Sequence, residues 1–357
     1  MSEFLAARYA NLVPYVPGEQ PKDRAYVKLN ANETSVPPAP GVAAALADPE
    51  LFAGLGRYAD PHCRALKEAI AQAYGVSADE VFCGNGSDEV LGFLLLTFCG
   101  PGARIAFPDV TYGFYHDFAS TQSLDWCEIA LKDDFTLDVD AFAAYDGTVV
   151  FPNPNAPTGL AISARDIERI VEAHPERLVI VDEAYVDYGA ESVVPLVRAH
   201  RNLVVVHTMS KSRNLAGAHI GFAFAQADLV KDLEDIKFSF NPFNLSAPTM
   251  AIAIASLADG AYHDTCVAQI VATRERVRAA LGELGFEVLP SSTNFLFARH
   301  GRLAACDWCR ELRVAGVLTR HYDAPRISDW LRVTIGTDDE MNIFLAETRR
   351  ILGQAQR

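Results

Sequence analysis

One lysine stands where amine chemistry is possible. Lys211 lies in Thr208-Met209-Ser210-Lys211-Ser212-Arg213-Asn214, just past the apolar run Leu203-Val204-Val205-Val206. An amine at the carboxyl end of an interior strand is partly desolvated, which favours the neutral, nucleophilic form and suits it to Schiff-base chemistry. Alone, the segment fits a solvated surface lysine at least as well, so the reading depends on what stands at the neighbouring strand ends.

Asp182 ends the run Leu178-Val179-Ile180-Val181 and opens Asp-Glu-Ala-Tyr. A carboxylate there can bind a metal, cap a helix or pair with a cationic ring nitrogen. No cluster of histidines or carboxylates at ligand spacing accompanies it, which demotes the metal. Upstream, Val81-Phe82-Cys83 runs into Gly84-Asn85-Gly86-Ser87-Asp88-Glu89 and then the helical Val90 to Phe98. Glycines let a backbone approach closely and a helix start offers free N–H donors, so this is an anion cradle, unless it is an ordinary helix capped by Ser87 or Asp88. Asp88 and Glu89 would repel a phosphate, so their side chains must turn away or bond elsewhere. Asn153-Pro154-Asn155-Ala156-Pro157-Thr158-Gly159 reads as a turn leading into a helix.

The elements that must position these groups alternate. Val81 to Cys83, Arg104 to Phe107, Thr148 to Phe151, Leu178 to Val181, Leu203 to Val206 and Ile220 to Phe224 read as strands, with amphipathic stretches such as Ala164 to His174 between them. That is the pattern of a mostly parallel sheet with helices on both faces, and such sheets gather ligands outside the carboxyl ends of their strands. Past about residue 260 a long helical segment, Ala268 to Leu284, precedes strands at Phe286 to Leu289, Asn294 to Phe297 and Leu331 to Ile335, the pattern of a smaller α+β domain. The expected division is an extended, proline-rich arm over 1–35, a large domain over 36–260 and a small domain over 261–357.

Composition bounds the function. The 357 residues carry a formal net charge of -15, which argues against a nucleic-acid backbone or an anionic membrane surface as partner. No apolar run reaches the length of a membrane span, the start lacks a basic segment followed by an apolar one, and the 7 cysteines follow no disulfide framework. The expectation is a cytoplasmic protein. Cys306-Asp307-Trp308-Cys309 has redox spacing but lacks a second pair and sits in a helical pattern, so a structural role is expected.

Taken together, these pieces resemble the aspartate-aminotransferase superfamily of pyridoxal-phosphate enzymes, and within it the histidinol-phosphate aminotransferases most closely. The matching residues run from Asn11-Leu12-Val13-Pro14-Tyr15 and Lys28-Leu29-Asn30-Ala31-Asn32-Glu33 through Arg57-Tyr58, Gly84 to Glu89, Pro108 and Thr111-Tyr112-Gly113. They continue with the Asn-Pro-Asn-Ala-Pro-Thr-Gly turn, Asp182 to Tyr185, Ser210-Lys211, Asn294-Phe295 and Leu331 to Gly336, nearly the whole chain.

The resemblance implies an α/β fold of type I, a large mostly parallel-sheet α/β/α domain plus a smaller α+β domain. It implies transamination of L-histidinol phosphate with 2-oxoglutarate, giving imidazole acetol phosphate and L-glutamate in histidine biosynthesis. By resemblance, Lys211 carries pyridoxal 5'-phosphate as a Schiff base and then moves a proton, Asp182 keeps the pyridine nitrogen protonated, Tyr112 stacks on the ring and Tyr185 bonds its phenolate oxygen. The phosphate sits on N–H groups around Gly86, Ser87 and Asp88, with Thr208 and Ser210. Tyr58 reaches it from the partner of a homodimer. Arg332 and Arg320 grip the substrate's anionic group, with Tyr15 and Asn32 lining the same pocket, and Arg326 is a weaker candidate. No metal, membrane or nucleic acid is implied.

Three departures stand out. The family usually has a phosphate-binding arginine where this chain has His219, and histidine is only partly charged near neutral pH. Either Arg213 or a water-bridged network compensates, or the cofactor is held more weakly. An asparagine common in the family is Ala156 here, which leaves Asn155 as the candidate for the phenolate oxygen. The arm reads Glu33-Thr34-Ser35-Val36 where relatives commonly carry Glu-Asn-Pro-Tyr. Rival readings are an aromatic amino-acid aminotransferase, a lyase that decarboxylates threonine phosphate, and a cofactor-binding regulatory module.

Overall fold

The computed structural model describes residues 2–9 and 12–355, so Asn11 of the matching arm segment lies outside the described residues. The arm contributes β1 (Val27–Lys28). Seven strands build the main sheet: β2 (Val81–Gly84), β3 (Arg104–Pro108), β4 (Asp125–Ile129), β5 (Thr148–Pro152), β6 (Val179–Asp182), β7 (Leu203–Thr208) and β8 (Gly221–Phe224). Their order is β2-β8-β7-β6-β5-β3-β4, parallel from β7 to β4, with β8 antiparallel to both its neighbours.

The interior strands are apolar on both faces because both faces are covered. Val149, Phe151, Val179, Val181, Leu203 and Val205 join one core cluster, whereas Val150, Ile180, Val204 and Val206 join another. The helix Ala164–Ala173 buries Ile167, Ile170 and Val171 against the first cluster, and the helix Gly86–Phe98 buries Val90, Leu91 and Leu94 against the second. Complete burial of each such side chain stabilises the fold by about 1.5–3 kcal/mol, so the layered core outweighs any single cap. The sequence reading missed β4. Four of its five residues are exposed at the sheet edge, so Asp125-Trp126-Cys127-Glu128-Ile129 carries no burial pattern to read.

The remaining strands are β9 (Phe286–Val288), β10 (Phe295–His300), β11 (Val317–Leu318), β12 (Arg320–His321) and β13 (Leu331–Thr334). An antiparallel sheet in the order β12-β13-β10-β9 packs with the helices Gly260–Glu283 and Asp338–Ala355 around Val277, Phe295, Trp308 and Phe344. The first of those helices starts well before Ala268, where its apolar pattern begins. The arm is tied on by β1, which pairs parallel with β11, and by Arg24, which donates to the carbonyls of Arg313 and Val314. Cys306 and Cys309 lie on the helix Ala305–Val314, which buries Trp308; all described cysteines are free thiols.

Candidate active site

Pro152, Asp182 and Thr208, the last residues of β5, β6 and β7, line one cavity of about 200 Å3. Gly86, Ser87, Asp88 and Tyr112 close one side, and Tyr185, Ser210, Lys211 and His219 another. The parallel order explains the convergence: adjacent strands end together, and each is followed by a loop carrying one functional group.

One end of the cavity is built for an anion. The helix Gly86–Phe98 begins there with Asn85 as its N-cap residue and no side-chain cap, so neither Ser87 nor Asp88 plays the capping role. Its first N–H groups have no intrahelical partner and carry the positive end of the helix dipole. The expected repulsion is removed because Asp88 accepts from the Tyr112 hydroxyl at 3.0 Å, while Glu89 accepts from the Asn85 N–H at 2.6 Å and the Asn244 amide at 2.7 Å. Two glycines make the approach possible. Gly86 has φ +85°, and a Cβ on Gly221 would lie 2.3 Å from the Ser87 nitrogen. Opposite, the Thr208 hydroxyl donates to the Ile220 carbonyl at 3.1 Å and accepts from the Ser210 N–H at 3.1 Å, which folds the lysine loop back over the cavity. His219 is exposed, with φ +50°.

The other end is built for a ring. Asp182 is 4% exposed, and burial pushes its carboxyl up to about 6, opposed by hydrogen bonds from the Tyr115 hydroxyl and the Ala184 N–H. Tyr185 accepts from the Asn32 amide at 2.8 Å and stands edge-on to Phe295. The Lys211 Nζ lies 5.7 Å from the Tyr185 ring centre. Burial, then the Asp88 charge, raises the Tyr112 pKa far above the ordinary phenol, so its hydroxyl remains the donor to Asp88. Pyridoxal phosphate matches this donor set: an uncapped helix start and the Ser210 hydroxyl for a phosphate, a buried carboxylate for a ring nitrogen, an amine for an aldehyde.

Among the groups expected to touch the cofactor, three do not line the cavity. The Asn155 amide is committed, donating to the Val110 carbonyl at 3.0 Å and the Thr158 hydroxyl at 2.9 Å, so it holds its own turn and Ala156 is the residue that faces the cavity. Arg213 donates to the Ser256 carbonyl at 2.9 Å and does not line the cavity. Tyr58 is 81% exposed, stacked 4.4 Å from Phe243.

Arg320 and Arg332 are direct cross-strand partners on β12 and β13. Their guanidinium carbons lie 5.4 and 5.6 Å from the centre of the Tyr322 ring. Like charges facing each other across strands are unfavourable without an anion between or beside them. Arg320 donates to the Val16 carbonyl and Arg332 to the Asn30 carbonyl, but the buried Arg332 Nε has no partner. Tyr15 packs on Phe114 and Tyr112 and feels the charges of both arginines. Asn32 is buried at φ +54°, bonded to Tyr185 and Thr334 rather than lining the cavity. Arg326 pairs with Asp109 and donates to the carbonyls of Leu131 and Lys132, a fastening for its loop. Tyr115 and Tyr322 escaped the sequence reading. Tyr115 is one helical turn from Tyr112, a spacing that signals a shared face; Tyr322 had no such signal.

Comparison with known proteins bears on this constellation. The family described as aminotransferase class I and II matches residues 24–347. A histidinol-phosphate aminotransferase of Clostridium acetobutylicum is 44% identical over 352 residues, 99% of this chain and 100% of that protein. A solved structure from Erwinia carotovora, described as a putative histidinol-phosphate aminotransferase, is 25% identical with TM-score 0.85, covering 93% of this chain and 97% of that one. The same enzyme of Sinorhizobium meliloti, solved with pyridoxal-5'-phosphate, shares the fold at 24% identity and TM-score 0.84, covering 93% and 92%. The protein is a pyridoxal-phosphate-dependent aminotransferase of fold type I, and the chain belongs to the class I and II aminotransferase family.

Proposed function

We propose that the enzyme transfers the amino group of L-histidinol phosphate to 2-oxoglutarate, giving imidazole acetol phosphate and L-glutamate, a step of histidine biosynthesis. The observation that carries this reading is the Arg320/Arg332 pair with its unpartnered Nε, because two guanidinium forks suit a phosphate dianion in one half-reaction and a carboxylate in the other. Full-length similarity to histidinol-phosphate aminotransferases supports it.

Bound pyridoxal phosphate supplies the electron sink that stabilises negative charge at the substrate carbon. Lys211 binds its aldehyde and then carries a proton to and from that carbon at Nζ. Asp182 holds the ring nitrogen protonated, Tyr112 covers the ring, and Tyr185, fixed by Asn32, donates to the phenolate oxygen. The N–H groups of Gly86, Ser87 and Asp88, the Ser210 hydroxyl and His219 hold the phosphate, and Thr208, whose hydroxyl proton goes to the Ile220 carbonyl, holds the lysine loop beside it. Tyr15 closes the substrate side against Tyr112.

The exposed Tyr58 serves the site of a second copy in a homodimer, which accounts for a large aromatic left in solvent, stacked on the exposed Phe243. The division into arm, large domain and small domain falls at 35 and 260, the latter at the start of the helix Gly260–Glu283. Among the described residues no helix is long and apolar enough to cross a membrane, and the free cysteines support a reducing, cytoplasmic location.

A half-reaction tests the proposal. Histidinol phosphate added to the cofactor-loaded enzyme should convert its absorbance to that of the amine form of the cofactor within the dead time of manual mixing. Faster conversion by phenylalanine would favour the aromatic aminotransferase, and carbon dioxide release from threonine phosphate without a keto product would favour the lyase.

A further inference from the structure

We propose that Tyr115 is a positioning residue of the active site: its buried hydroxyl keeps Asp182 ionised and aimed, and so sets the protonation of the cofactor's pyridine nitrogen. The inference rests on the reading that Asp182 faces that nitrogen.

The geometry is specific. The Tyr115 hydroxyl donates to Oδ2 of Asp182 at 3.0 Å, while Oδ1 accepts from the Ala184 N–H at 3.1 Å. Each oxygen is thus pinned by one donor and keeps a lone pair for a cationic N–H from the cavity that Asp182 lines. Tyr115 is 1% exposed, and its hydroxyl has no other hydrogen-bond partner among the described residues. Burial, then the charge of Asp182, raises its pKa well above that of an ordinary phenol, so the proton stays on Tyr115 and the bond has one direction.

Opposing effects meet at the carboxylate. Burial pushes Asp182 up, and Asp88 on the helix Gly86–Phe98 adds a like charge. Against them stand the Tyr115 hydroxyl, the Ala184 N–H and, more weakly, His207 on β7. Of these the hydroxyl is the largest, so its loss leaves burial less opposed and draws the shared proton from the ring nitrogen toward the carboxylate.

The sequence places this device economically. Tyr112 lies just before the helix Phe114–Gln122 and accepts at its carbonyl from the Tyr115 N–H at 3.2 Å, a single turn that sets the two ring centres 5.8 Å apart at 89°. One turn therefore both supplies the residue covering the cofactor ring and sets the state of its nitrogen from behind. The competing account is that Tyr115 only fills the core beside Phe107, whose ring centre is 6.0 Å away. Phenylalanine would fill that space equally well, which makes Tyr115→Phe a test of the hydroxyl alone.

The experiment uses holoenzyme loaded with cofactor carrying 15N at the pyridine position, with Tyr115→Phe and Asp182→Asn beside the wild type and thermal melts confirming folding. In Tyr115→Phe the 15N resonance should move toward the unprotonated position and kcat should fall about ten-fold, with a smaller change in KM. Replacing Tyr115 with 3-fluorotyrosine, a stronger donor, should move the resonance the opposite way. A resonance unmoved in both Tyr115 variants, while Asp182→Asn moves it, overturns the inference. A resonance that Asp182→Asn also leaves unmoved overturns the underlying reading of Asp182 instead.

Discussion

The two ends of the active site are built on different physical terms. At the cofactor end the polar groups Asp88, Glu89, Asn155 and Asp182 are each tied to a protein partner, and they stand at the ends of fully buried strands or in the loops and helices packed against them. At the proposed substrate end, beyond the residues that line the cavity, two arginines sit on short strands of the small sheet, half-buried, beside arm carbonyls, with one guanidinium nitrogen unsatisfied. At the cofactor end the protein ties down its acidic groups and leaves the first N–H groups of the helix Gly86–Phe98 free for one permanent anion. In the proposed reaction the arginine pair takes two different anions in turn, which fits a guanidinium nitrogen left without a protein partner.

Breaking the cofactor end should cost most. Lys211→Ala should lower amino transfer by more than about 1000-fold, because one amine both binds the cofactor and carries the proton; steady-state rates within about ten-fold of wild type would remove Lys211 from that role. Arg332→Ala should raise the KM for histidinol phosphate and for glutamate together, each about 10- to 100-fold, as expected for a charge-assisted hydrogen-bond pair. A change confined to one substrate would mean that the arginine pair serves only one half-reaction.

Smaller effects sharpen the contrast. His219→Arg should tighten pyridoxal-phosphate binding about ten-fold at alkaline pH, where histidine is neutral, and less at acidic pH. Fluorescence titration at both pH values checks this, and an affinity unchanged across pH would exclude His219 from the phosphate site.

The lysine loop gives a pH test of stability. Asp187 accepts from Ser212, next to Lys211, and faces His263. Burial works to raise the Asp187 pKa, but the bonds from His263 and Ser212 and the charge of His207 outweigh it and hold it at about 2, below the ordinary 3.8. A depressed folded pKa gives stability that is fully present above the unfolded value and lost as pH falls through the folded one. The stability gap between wild type and Asp187→Asn, read from urea midpoints, should therefore shrink from about pH 4 downward, and should also decline above about pH 6.5, where His263, whose pKa Asp187 raises, loses its proton.

Much of this was legible in the chain. Apolar runs such as Leu203 to Val206 identified interior strands because both faces are covered, and the last residues of β5, β6 and β7 line the cavity. What escaped has physical reasons. β4 is an exposed edge with no burial pattern, and the helix after β2 begins at Gly86, where propensity points further on. Asn155 carried the right chemistry for a phenolate, but its two donors are consumed by Val110 and Thr158, a fact of folding that no spacing reveals. Arg213 likewise has the charge for a phosphate but is turned toward Ser256.

The central claim is that Lys211, one of seven lysines, forms the covalent bond to the cofactor. Borohydride reduction of the loaded enzyme followed by proteolysis and mass spectrometry reads that bond directly. The account predicts one cofactor-tagged peptide containing Lys211; a tag on any other lysine, or none, would contradict it.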